Sequence, residues 1–305
     1  MITKRSLDFS VDRSLVVALG CFDGVHAGHT SLISQAVDIA HQKGISSAVF
    51  SFTEPPKNYF SKNSAPVLTP FDEKKRLVRA LSPDIFVCVP FDKQIALLSP
   101  EEFFTDVLLK KLNATHIVCG FDYRFGSGGR GNSELLEDLC NKYGISLSII
   151  PPVVIDGITV SSSEIRKLLG EGDVRKAAVL LGRRYSICAP VVDGQHLGRT
   201  LGFPTINQLF SNGTTPLRRG VYLTRVRIGR SLYSAITNVG TRPTVDGATF
   251  CAETHILNFC GDLYGKNVRV EFVDFIRPEK KFSSVEELSA QVLSDIKAAR
   301  SAVKQ

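Results

Sequence analysis

Two different spacings of apolar and polar positions divide the chain. Up to about residue 183, short apolar runs alternate with stretches in which apolar residues recur every three or four positions. Leu15–Leu19, 47–52, Ile85–Val89, 116–120 and Ser146–Ile150 are compact apolar runs, the mark of strands buried on both faces. Leu32, Ile33, Ala36, Val37 and Ala40 recur at helical spacing, and 72–81, 100–112 and 134–143 are further helix candidates. This alternation predicts an α/β unit with a doubly wound parallel sheet, whose ligands would gather at the carboxyl ends of the strands.

Beyond residue 183 the period changes to strand-like runs separated by glycine and proline: 185–192, Gly220–Ile228, 231–238, 253–258 and 267–275. Short strands at such intervals predict a small antiparallel β-barrel or sandwich. A terminal helix is predicted over about 284–302, with Ser283 or Ser284 as its start, Glu286 and Glu287 in the first turn, and Lys297 and Arg300 in the last. The change of period places a domain boundary near 183–186, giving domains 1–183 and 184–305. No internal repeat or low-complexity linker interrupts the 305 residues.

Composition narrows the class. A chain with 43% hydrophobic and 22% charged residues is an ordinary globular protein, and no apolar run reaches the roughly 18 residues needed to span a bilayer. With no signal-peptide pattern at its start, a cytoplasmic protein with no membrane partner is expected. Seven cysteines without a C-x-x-C pair give neither a disulfide nor a zinc framework, and all seven are expected to be structural. The net charge of +7 is uneven: 21 Lys+Arg face 20 Asp+Glu up to residue 183, and 16 face 10 thereafter. Because Arg225, Arg227 and Arg230 are spread along strand-like segments rather than clustered, a solvated sheet face is expected and nucleic acid is not.

The chemistry concentrates at turns. In Gly20-Cys21-Phe22-Asp23-Gly24-Val25-His26-Ala27-Gly28-His29, a buried strand runs through a glycine-relieved turn into a helix start. Free amides and the positive end of that helix favour an anion such as a triphosphate, Gly24 and Gly28 leave the backbone open, and His26 and His29 add donors. The same residues also suit a plain turn with two surface histidines. Val160-Ser161-Ser162-Ser163-Glu164-Ile165-Arg166 opens another helix with a capping-box pattern, offering hydroxyls, amides and a guanidinium to phosphates. Gly120-Phe121-Asp122-Tyr123-Arg124-Phe125-Gly126 ends a strand and leads into a glycine-rich loop.

These three segments together resemble the first domain of bacterial bifunctional riboflavin kinase/FAD synthetases, within the H-x-G-H nucleotidyltransferase superfamily of Rossmann-like fold. The resemblance implies that the phosphate of FMN attacks the α-phosphorus of ATP and pyrophosphate leaves. His26 and His29 would stabilise charge on the reacting phosphate, with Gly20, Phe22, Asp23, Gly24 and Gly28 forming the ATP loop. Asp122 would hold nucleotide and metal, and Ser162, Ser163 and Arg166 the leaving phosphates. Where the family has F-x-P-H-P, this chain reads Phe52-Thr53-Glu54-Pro55-Pro56, with Pro55 in place of the histidine.

In the basic half, Gly198-Arg199-Thr200-Leu201-Gly202-Phe203-Pro204-Thr205-Ile206-Asn207 puts Thr205 and Asn207 two apart, on one side of an extended segment, where their oxygens could ligate one Mg²⁺. This stretch is similar to the G-R-x-x-G-x-P-T-A-N motif of riboflavin kinases, with Ile206 at the family's alanine. Gly220-Val221-Tyr222, 238–244, Glu253-Thr254-His255 and 262–265 extend the likeness. It implies that Glu253 is the general base for the riboflavin 5′-hydroxyl, and that Thr205 and Asn207 are magnesium and phosphate ligands. Gly198, Gly202 and Pro204 would line the ATP site, and Arg199, Thr200, Asn238 and Arg242 would bind flavin, while His255 would be structural. The expected enzyme phosphorylates riboflavin to FMN and adenylylates FMN to FAD, with ATP and Mg²⁺ used in both. The alternatives are a nucleotidyltransferase with an RNA-binding barrel and a riboflavin kinase with a weakened first domain.

Overall fold

The computed structural model describes residues 1–61, 65–194, 198, 201–211, 213–244 and 247–303, of which 242–249 and 298–303 are described by backbone alone. The chain forms two compact units, Met1–Ser162 and Ser163–Gln305. The first unit holds a six-stranded sheet in the order β1-β4-β3-β2-β5-β6, formed by Ile2–Lys4, Leu15–Leu19, Ser46–Phe52, Ile85–Val89, Ala114–Gly120 and Ser146–Ile150 in chain order. Every pairing in it is parallel. The four strands expected around β2 are present, and the edge strand β1 is added beside β4.

Side chains on the two faces of β2 enter two separate cores, so the whole strand is inaccessible. Leu15, Val17 and Leu19 join one cluster with Phe103, Phe104 and Leu108, while Val16 and Ala18 join another with Ile33, Ala36 and Ala40 of α1, Ala27–Lys43. Order reverses at β2: β3 and β4 lie on one side of it, β5 and β6 on the other. Chains leaving β2 and β5 therefore diverge above a crevice at the carboxyl edge, the usual ligand position in such sheets.

One predicted helix is different in kind. Residues 100–112 form a single α-turn, Pro100–Glu102, followed by a π-helix, Phe103–Lys111. The Leu112 amide donates to the Val107 carbonyl five residues back, at 3.1 Å. Phe103, Phe104, Val107, Leu108 and Leu112 are all buried, and their spacing fits the wider turn as well as an α-helix.

The second unit is a nearly closed antiparallel barrel in the order β10-β13-β12-β11-β14-β9. Its strands are β9 (Ser186–Pro190), β10 (Thr205–Leu209), β11 (Gly220–Ile228), β12 (Ser231–Thr244), β13 (Gly247–Ile256) and β14 (Asn267–Pro278). Between β6 and β9 in sequence lies a short hairpin, β7 (Val154–Ile155) with β8 (Ile158–Thr159). Fully buried Gln208 helps to close the barrel from within, its Nε2 donating to Ala189 O of β9 and Val268 O of β14 at 2.6 and 2.8 Å. Thr237 shares hydrogen bonds with Thr224 and Thr254 at 2.8 and 2.9 Å, so these interior hydroxyls satisfy one another. The terminal helix, Val285–Val303, packs Val292 and Ile296 on an outer apolar patch containing Val221, Leu223 and Ile236. Arg225 is half-buried and Arg227 and Arg230 are exposed, as a solvated face requires.

The cysteines divide. Cys88, Cys119, Cys140 and Cys251 are buried, and burial pushes the thiols of Cys88 and Cys119 up to about 11 and about 12. Cys188 and Cys260 are exposed, so the expectation that all seven serve as packing residues fails at those two.

Candidate active sites

In the first unit the turn after β2 is held in a conformation that L-residues rarely adopt. Phe22, Gly24 and Val25 have φ of 50°, 90° and 40°, and for bulky Phe22 and β-branched Val25 this is strain. Surrounding bonds compensate. The Asp23 carboxylate, 3% exposed, accepts from the amides of Leu68 and Thr69 at 2.9 and 3.1 Å, and the Gly24 amide donates to Thr69 Oγ1 at 3.0 Å. Ser162 Oγ donates to the Asp23 carbonyl at 2.8 Å. Gly20 is needed because a Cβ there would lie 2.7 Å from the Phe22 ring, which is wholly buried.

His26 is the N-cap of α1. Its Nδ1 accepts the His29 amide at 3.3 Å, which assigns the proton of a neutral ring to Nε2. The rings of His26 and His29 stack at 3.5 Å with an interplanar angle of 16°, and Phe22 meets His29 edge-on at 5.3 Å. A Cβ on Gly28 would lie 3.3 Å from His26 Cε1, so glycine leaves room for the capping ring. The two histidines thus form one stacked pair at a helix N-terminus. Asp122 leaves the neighbouring strand β5 and is exposed, and Gly120 leaves room for its carboxylate, with Oδ1 3.1 Å from where a Cβ would be. Ser163 and Arg166 follow Ser162 on the helix Ser162–Glu171.

Two features near this edge escaped the sequence reading. Tyr59 and Phe60, 48% and 65% exposed, meet Phe91 at 5.6 and 5.9 Å, and Phe91 meets Phe52 at 5.1 Å. They form an aromatic surface at the carboxyl ends of β3 and β4, beside buried Pro55, whose carbonyl accepts the Asn58 amide at 2.8 Å. The other is Lys74, a lysine only 1% exposed. Its place in a run of charged residues gave no hint of burial.

In the second unit, strand register assembles what sequence distance had separated. Asn207 of β10 pairs with Glu253 of β13, and Glu253 with Asn238 of β12. Directly paired residues share a face, so Glu253 stands between two carboxamides. The next row places Thr205 beside His255 and Ile236. Asn207 is 6% exposed and fits only because residue 194 is glycine: a Cβ there would lie 2.2 Å from Asn207 Nδ2. Gly198 lies equally close to the segment, where a Cβ would be 2.5 Å from Phe203 O and 3.4 Å from Thr205 Oγ1. Gly202 has φ +80°, which suits the turn before Pro204. His255 Nδ1 donates to Pro204 O at 2.9 Å and so ties the segment to β13 in a structural role. Arg199 and Thr200 lie outside the described residues, and Arg242 is described by its backbone alone.

Thr205, Asn207 and Glu253 present a hydroxyl, a carboxamide and a carboxylate from adjacent strands. Hard oxygen donors in this number suit Mg²⁺, which keeps several waters and nucleotide oxygens in its shell. Among the described residues, no group of three or more His, Cys, Asp or Glu could hold a metal by itself.

Residues 8–164 match the family model described as FAD synthetase, and residues 181–303 match that described as riboflavin kinase. The bifunctional riboflavin kinase/FMN adenylyltransferase of Escherichia coli strain K12 is 35% identical over 298 residues, covering 97% of this chain and 95% of the relative. That of Bacillus subtilis strain 168 is 34% identical over 286 residues, covering 92% and 90%. A solved structure from Streptococcus pneumoniae, described as a macrolide-efflux protein, superposes with a TM-score of 0.89 at 33% identity and covers 98% of this chain and 99% of its own. Among the described residues here, no helix is long and apolar enough to cross a membrane.

Proposed function

The chain belongs to the bifunctional riboflavin kinase/FMN adenylyltransferase family, and from that premise we propose that its two reactions are carried by the two residue sets described above. By the change of sequence period, residues 1–183 are the adenylyltransferase domain and 184–305 the kinase domain, although by contacts residues 163–183 count with the second unit. The substrates are ATP with riboflavin in one reaction and ATP with FMN in the other, and the enzyme works in the cytoplasm.

In the kinase half the observation that carries the reading is the row Asn207, Glu253, Asn238. Glu253 takes the proton of the riboflavin 5′-hydroxyl as its oxygen bonds to the γ-phosphorus of ATP and the bond to ADP breaks. Thr205 and Asn207 would hold magnesium, which when bound would neutralise charge on the transferring phosphoryl group. Gly198, Gly202 and Pro204 shape the turn against which ATP lies, and Arg199, Thr200, Asn238 and Arg242 contact flavin.

In the first half the stacked pair at the start of α1 carries the reading. An FMN phosphate oxygen bonds to the α-phosphorus of ATP and pyrophosphate departs, while the His26 Nε2–H and His29 meet the negative charge that develops. Gly20, Phe22, Asp23, Gly24 and Gly28 fix the shape of the loop against which the phosphates lie, and Asp122 would help to hold nucleotide and metal. The family resemblance gives Ser162, Ser163 and Arg166 to the leaving phosphates. The aromatic surface of exposed Tyr59 and Phe60 over half-buried Phe91 suits a planar isoalloxazine and supports an active adenylylation site despite Pro55.

Incubating the purified chain with riboflavin, ATP and Mg²⁺ and separating the flavins tests this reading. FMN followed by FAD is expected. FMN alone would contradict the adenylylation half, and no conversion would contradict both halves.

A further inference from the structure

We propose that Lys74 is a positioning residue for the triphosphate of ATP in adenylylation: its buried ammonium offsets two strand-end carbonyls that would otherwise repel the anion. The inference rests on the reading of the His26–His29 turn as the ATP grip, and it adds a cationic floor to that grip.

At the carboxyl edge of a parallel sheet the last carbonyls of each strand have no further ladder partner, and their partial negative charge points towards the place where ligands bind. Two such carbonyls are capped here by one side chain. Lys74 Nζ donates to Cys21 O, two residues beyond β2, at 3.0 Å and to Phe52 O, the last residue of β3, at 2.8 Å. Ser51 Oγ, fully buried, also donates to Cys21 O at 2.7 Å. Cys21 immediately precedes the strained turn that carries Asp23 and leads into His26, so the ammonium is bonded to the backbone at the entry to the loop.

Lys74 makes no ion pair with a carboxylate among the described residues. Its helix neighbour Glu73 is bridged instead to Arg76 at 2.7 Å. A buried ammonium held only by neutral carbonyls carries a large desolvation cost that those carbonyls repay only in part. Such a charge makes sense where an anion arrives to complete it, and where low dielectric strengthens that attraction. Phosphate bound over the start of α1 would supply that anion, so the site is charged for its ligand before the ligand binds.

The test is Lys74→Met in the full-length chain, with steady-state kinetics of FMN adenylylation and of riboflavin phosphorylation, and thermal unfolding without ligand. A KM for ATP raised about tenfold in adenylylation is expected, with the KM for FMN and the kinase rate within about twofold of wild type, and a lower unfolding midpoint because Phe52 O and Cys21 O lose a donor. A merely structural lysine predicts equal losses for ATP and FMN, and that result, or an unchanged KM for ATP, overturns the proposal. If Lys74→Met does not fold, Lys74→Gln, which keeps an N–H for the carbonyls without the charge, must show the same ATP-specific loss. Ser51→Ala, which removes a neutral donor from the same carbonyl, should leave the KM for ATP near wild type. His29→Ala is measured alongside: full adenylylation there contradicts the ATP-grip reading itself, whereas its loss together with a normal Lys74→Met contradicts only the role of Lys74.

Discussion

Replacing Gly194 with alanine should disable the kinase reaction through one side chain. Residue 194 is outside the left-handed region, so alanine brings no backbone penalty and acts by contact alone. Its Cβ would lie 2.2 Å from Asn207 Nδ2, 2.6 Å from Cγ and 2.9 Å from Oδ1, which drives the whole carboxamide away. Ordinary contacts begin near 3.5 Å, so the group must move by roughly 1 Å or more. Asn207 is 6% exposed and its strand is fixed by pairing with Glu253, which leaves little room for that movement. A displacement of roughly 1 Å at a group that positions substrate costs about 10²-fold in rate, or about 2.7 kcal/mol of barrier. Overpacking adds about 1–3 kcal/mol of destabilisation. The assay is the initial rate of FMN formation over a magnesium titration, with FMN-to-FAD conversion as the internal control. A wild-type kinase rate, or an equal fall in both reactions, would refute the reasoning.

Other perturbations separate structural from chemical roles. Asp23→Ala leaves the amides of Leu68 and Thr69 without their acceptor, and at about 1–3 kcal/mol for each buried orphan it should lower the unfolding midpoint and abolish adenylylation together. Wild-type stability in that variant would show that the turn is held by something else. Burial pulls the His116 pKa below its ordinary value, and the charge of Lys43 adds to the effect. The unfolded chain therefore binds more protons near and below the ordinary histidine pKa of about 6.5, and stability falls as pH drops through that range. His116→Gln should show a smaller loss of unfolding midpoint between pH 7.5 and pH 5 than wild type, and an identical loss would remove His116 as a cause.

Much of the fold was legible because its two halves bury side chains with different periods. What escaped depended on long-range pairing. Asn238-Val239-Gly240-Thr241-Arg242-Pro243-Thr244 reads as a strand end followed by breakers, yet β12 continues to Thr244 because β13, starting at Gly247, supplies partners from Ala235 to Thr244. The π-helix was invisible because buried positions four and five apart fit an α-helix equally well. At the sites, local motifs located His26, His29, Thr205 and Asn207, since turn and cap chemistry is local. The pairing of Asn207 with Glu253 is a matter of register, and the burial of Lys74 depends on where Cys21 and Phe52 end their strands. Neither leaves a mark in sequence spacing.

Two independent sites on one chain should respond separately to Glu253→Gln and His29→Ala. Each variant is given riboflavin, ATP and Mg²⁺ in one reaction and FMN, ATP and Mg²⁺ in another. Glu253→Gln should lose about 10²–10⁴-fold in FMN formation while converting FMN to FAD at the wild-type rate, and His29→Ala should form FMN and stop there. Loss of both reactions in either folded variant, or of neither reaction in both variants, would contradict the assignment.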